Sequence, residues 1–76
     1  MLRFEAVTDD GPTVEFIGRA ASLEAAQALL DVAGNSGHVR YCGSGAPGAV
    51  VLRSRDSHGG WWWHSPFTGR WEICPT

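Results

Sequence analysis

A chain of 76 residues with six arginines, no lysine and eight acids has room for one domain, spanning 1–76. At this length only about 60% of the unfolded surface is buried, so the core must be small. The net charge of −2 gives no overall pull toward nucleic acid, 43% hydrophobic content argues against disorder, and no run reaches the roughly 20 apolar residues of a membrane span. Charge is unevenly placed. Residues 1–38 carry six acids and two arginines (−4), and residues 39–76 carry four arginines and two acids (+2). The start, Met1-Leu2-Arg3-Phe4-Glu5, lacks the basic and apolar regions of a secretory signal, so a cytoplasmic location is expected.

Leu2 to Thr8 alternates, with Leu2, Phe4 and Ala6 on one face. Asp9-Asp10-Gly11-Pro12 signals a turn, and Thr13 to Arg19 alternates again. The two form a first hairpin. Matching Val14 and Phe16 to the Phe4 face requires an odd loop of three or five residues. Ser22 is a helix N-cap with Glu24 in the first turn, and Gly34 follows the last turn. Between them, Leu23, Ala26, Leu30 and Ala33, widened by Leu29, make the buried stripe. Glu24, Gln27 and Asp31 fall on the solvent side.

His38 to Cys42 reads as a strand with Val39 and Tyr41 inward. Gly43-Ser44-Gly45-Ala46-Pro47-Gly48 reads as a plain connection, because a phosphate-binding loop should open a helix and here a strand follows. Ala49 to Arg55 is that strand, with Val50 and Leu52 inward and Val51, Arg53 and Arg55 outward. Asp56-Ser57-His58-Gly59 turns the chain.

Trp61 to Ile73 holds all four tryptophans and reads as a hairpin around which the core condenses. A loop of Ser65 to Gly69 sets Trp63 opposite Trp71 and Trp61 opposite Ile73, gathering these four on the inward face. The fold class is α+β, with a single helix packed on one face of an antiparallel sheet in the order ββαββββ.

Chemistry-bearing residues are present but scattered. His38, Cys42, His58, His64 and Cys74 are ligand types, yet strand spacing keeps them too far apart to converge on a zinc ion. No metal and no cofactor are expected. Cys42 with His38, or Ser57-His58 beside Asp56, supplies nucleophile and base types without a third orienting group, so no catalytic residue is assigned. A Cys42–Cys74 bridge would be worth about 3–4 kcal/mol in the chain-entropy model, but free thiols are expected in the cytoplasm.

The outward face of the last four strands carries His38, Arg40, Cys42, Val51, Arg53, Arg55, Trp62, His64, Arg70 and Glu72, with Arg53 opposite Trp62. Arg40, Arg53, Arg55, Trp62, His64, Arg70 and Glu72 form the candidate partner-binding set, because Trp and Arg dominate interface hot spots. The plain alternative is arginine stacked over Trp62 as cover. The expected function is a small non-catalytic binding or regulatory module docking an acidic protein partner. The alternatives are a single-stranded nucleic-acid platform on the same face, a homodimer sealed by it, and, more weakly, a sugar-stacking site at Trp62. Nucleic acid is the less favoured partner, and no membrane partner is expected.

Overall fold

The computed structural model describes residues 2–9, 14–42 and 50–74. Residues 10–12 of the expected turn Asp9–Pro12, the start of the expected second strand at 13, the glycine-rich connection at 43–48 and the start of the expected strand at 49 lie outside them. The elements run β1 (Phe4–Thr8), β2 (Glu15–Ala20), α1 (Leu23–Ala33), β3 (Gly37–Tyr41), β4 (Val50–Arg55), β5 (Trp61–His64) and β6 (Trp71–Ile73). The strands form one antiparallel sheet, ordered β2-β1-β3-β4-β5-β6. The α+β class and the ββαββββ order are as the patterning requires. β3 joins the first hairpin to the meander, a placement that alternation does not encode.

Local chemistry sets the helix limits. The Ser22 hydroxyl accepts from the Ala25 amide, and Gly34, at φ 74°, donates its N–H to the Leu30 and Asp31 carbonyls. Ala26 and Leu30 are buried, with Leu23 and Leu29 packed beside them. Ala33, expected in the stripe, is exposed at the last turn. The helix lies over β1, β2 and β3, where Ala6, Ala20 and Val39 meet it. This is where the core sits. Of the four tryptophans only Trp61 packs against it, so the tryptophan hairpin is not its centre.

Two bulges and one turn reassign the faces. Ala6 pairs with Gly18 but Val7 with Phe16, so Ile17 is an extra residue and Phe16 joins the side away from the helix, 57% exposed. In β4, Val39 pairs with Arg53 but Arg40 with Val51, leaving Leu52 as the extra residue. Arg53 and Arg55 therefore face the helix side, contrary to simple alternation. In the last hairpin, Trp62 pairs with Ile73, Trp63 with Glu72 and His64 with Trp71, one residue away from the expected register. The loop causes this shift. Ser65 N–H donates to the Arg70 carbonyl, Gly69 N–H to the Ser65 carbonyl, and the buried Ser65 hydroxyl accepts from the Phe67 and Thr68 amides. With Gly69 at φ 71°, the turn proper is the four residues 66–69. Trp71 and Ile73 consequently lie on the far face, 44% and 58% exposed, rather than inside.

Candidate functional site

The expected binding set is divided between the two faces of the sheet. Arg53, Arg55 and Glu72 are on the helix side, Arg40, Trp62 and His64 are on the far side, and Arg70 lies exposed in the final loop. Arg53 is opposite Trp63, not Trp62. A single Arg/Trp face containing all seven residues is thus not formed.

On the helix side, β4 and β5 extend past the edge of α1, and polar side chains bridge the gap. Asp31 Oδ1 accepts from Arg55 Nε and from Trp61 Nε1, each at 3.0 Å, and Arg55 Nη1 donates to the Asn35 carbonyl at 2.8 Å. Asp31 is therefore a bridging acceptor rather than only a solvent-side charge. Arg53 is placed differently. Its guanidinium carbon stands 5.9 Å from the Trp63 ring centroid, and Nη1 donates to Gln27 Oε1 at 3.4 Å and to Cys74 Sγ at 3.6 Å. All three neighbours are neutral. No carboxylate among the described residues pairs with this half-buried cation. Glu72, across Trp63, accepts instead from the Thr68 hydroxyl at 2.7 Å.

The far side of β1, β2 and β3 holds a charge cluster. Glu5 accepts from Arg19 Nε at 2.7 Å and from Arg40 Nε at 2.9 Å, one arginine from each flanking strand. A hydrogen bond from the Cys42 thiol, followed by those from Arg19 and Arg40, holds the Glu5 carboxyl down at about 2, against the opposing effect of burial. The same bond to Glu5, and then burial, pushes the Cys42 thiol up. A raised thiol is a poor nucleophile at neutral pH, so this environment does not activate Cys42. Cys42 and Cys74 are free and lie on opposite faces, which separates them from each other.

The far side of β4, β5 and β6 is apolar and aromatic. Trp62 lies between Ser54 and Ile73. Its Nε1 donates to Asp56 Oδ2 at 2.9 Å, and Asp56 Oδ1 accepts from the His58 and Gly60 amides. The indole bond, then those amides, lowers the Asp56 carboxyl. His64 Nε2 donates to the Gly69 carbonyl at 2.7 Å, and its ring lies 5.8 Å from that of Trp71. Trp62 is thus a half-buried member of an apolar strip, and no guanidinium among the described residues lies over its ring.

Gln27, Asp31, Trp63 and Cys74 are the neighbours that strand alternation alone did not bring to this site. The run Val50-Val51-Leu52 carried the signal, since three consecutive apolar residues break a period of two at the bulge. No group of three or more metal-ligand side chains converges among the described residues. No helix among them is long and apolar enough to cross a membrane. Comparison with protein-family models, with curated proteins and with solved structures finds no match for this chain.

Proposed function

We propose that this protein is a small non-catalytic docking module that takes a carboxylate of an acidic protein partner at Arg53, on the helix side of the sheet. The observation that carries the reading is the state of Arg53, a half-buried guanidinium 5.9 Å from the Trp63 ring centroid with no carboxylate among its partners in the described residues. Removing a cation from water is unfavourable unless an anion meets it. Arg55, two residues on, has Asp31, and Arg19 and Arg40 have Glu5. Among the described residues, Arg53 is the half-buried arginine of the expected set without a carboxylate; Arg70 is likewise unpaired but stands exposed in the final loop, where water solvates it. Its cation–π contact with Trp63 and its bonds to Gln27 and Cys74 restrain the guanidinium, and a guanidinium suits carboxylate recognition. Trp63 then supplies apolar contact beside the ion pair, as in interface hot spots.

The probe is hexaglutamate, titrated into the 15N-labelled full chain. The Arg53 Nε–H and Trp63 indole N–H resonances are expected to shift together, weakly at high salt, and the Arg53→Gln variant is expected to lose the response. Arg70→Gln, a change in an exposed loop, should leave it intact. An unresponsive Arg53 would overturn the reading. A stronger response to a thymidine oligonucleotide than to hexaglutamate would assign the site to single-stranded nucleic acid instead.

A further inference from the structure

We propose that Gln27 is the positioning residue of the Arg53 site: it holds one nitrogen of the guanidinium without neutralising it, so that the partner's carboxylate is taken side-on by Nε and Nη2. The role given to Gln27 rests on docking at Arg53 and specifies which edge of the guanidinium the partner meets. Nη1 is already committed, donating to Gln27 Oε1 at 3.4 Å and to Cys74 Sγ at 3.6 Å. Those two bonds use both of its hydrogens. Among the described residues, Nε and Nη2 of Arg53 have no acceptor. Because a guanidinium only donates, the Gln27 amide must turn its oxygen to Arg53 and its NH2 away. What is left on Arg53 is the Nε–Nη2 edge, a parallel pair of N–H groups that matches the two oxygens of a carboxylate.

Arg55 shows how the chain fills that edge when it has an acid of its own. Its Nη1 also donates to an uncharged oxygen, the Asn35 carbonyl at 2.8 Å, while its Nε meets Asp31 Oδ1 at 3.0 Å. Arg19 and Arg40 likewise present Nε to Glu5, at 2.7 and 2.9 Å. Arg53 and Arg55 are two residues apart on the helix side of β4, and Gln27 and Asp31 are one turn apart on α1, so the two arginine–helix pairs repeat. The repeat differs in one group. Where Arg55 finds a carboxylate, Arg53 finds an amide, which accepts a hydrogen bond but brings no charge. A glutamate at position 27 would have the same length and shape, and it would satisfy the cation from within the chain. Gln27, Trp63 and Cys74 are all half-buried, so they restrain Arg53 without enclosing it.

Gln27→Glu tests this in the 15N-labelled full chain, with hexaglutamate as the probe. The variant is expected to bind about fivefold more weakly than wild type, with the Arg53 Nε–H resonance already displaced before any probe is added. Ala28→Glu, which adds the same charge at the next, exposed position of the helix, should stay within about 1.5-fold of wild type. Gln27→Met keeps the length but offers no oxygen. Freer rotation should then broaden the Arg53 Nε–H resonance, and binding should weaken about threefold. Equal weakening by Gln27→Glu and Ala28→Glu would overturn the proposal, since charge alone would then account for it. Wild-type binding by either Gln27 variant would overturn it as well. In both cases a response that Arg53→Gln still abolishes leaves docking at Arg53 standing, whereas a wild-type chain that does not respond removes both.

Discussion

Two guanidinium groups from different strands meet on one carboxylate at Glu5, and the sheet uses it as a cross-strand tie. Arg19 comes from β2 and Arg40 from β3, so a single acid of β1 spans three strands. Removing it leaves two cations sharing a partly dry surface. Glu5→Gln should cost about 2–3 kcal/mol, less than a fully buried pair because both arginines keep contact with water. The loss should also depend on pH. The Glu5 carboxyl is held at about 2 in the folded chain against an ordinary 4.5, so the unfolded chain takes up this proton more readily. Its contribution is complete above the ordinary value and is lost as pH falls toward 2. Urea unfolding of both proteins across this range should show the wild-type advantage shrinking toward zero at the acid end. Alternation placed Glu5 outward but gave no partner for it, because strand order is a long-range fact.

Among the described glycines, Gly37 at the start of β3 is the most tightly enclosed. A Cβ at Gly37 would lie 2.1 Å from the Val7 carbonyl oxygen and 2.9 Å from the Thr8 Cα, both backbone atoms that cannot swing aside. Gly37→Ala should therefore cost at least about 3 kcal/mol, the upper end for overpacking, by forcing β1 and β3 apart. Gly34→Ala meets no atom within 4 Å and bears only the strain of its φ of 74°, so about 1 kcal/mol is expected in the same urea titration. The helix limits were legible because their signals are local, Ser22 and Gly34, whereas the exposure of Ala33 and the bridging role of Asp31 depend on where the sheet ends beneath it. The facing of β4 and β6 was not legible. A bulge at Leu52 and the hydrogen bonds made by Ser65 each displace alternation by one residue. Of the candidate set, Arg40, Trp62 and His64 fell on the expected face, while Arg53, Arg55 and Glu72 did not.

The molecule as a whole is asymmetric in its coverage. One helix shelters β1, β2 and β3, while β4 reaches it through Arg53 to Gln27 and Arg55 to Asp31, and the tryptophan hairpin through Trp61 to Asp31. The extra residue of β4 has one more consequence. It acts on the strand after it as a reversal of phase. Substitution at Arg53 or Arg55 changes one side chain, whereas a pairing that took Leu52 into the ladder would send both guanidinium groups through to the other surface and bring Ser54 under the helix. Which surface carries these two guanidinium groups is thus a matter of how one strand accommodates its extra residue: shortening β4 by Leu52 would close the bulge and leave both on the helix side, while absorbing Leu52 into the ladder would reverse them.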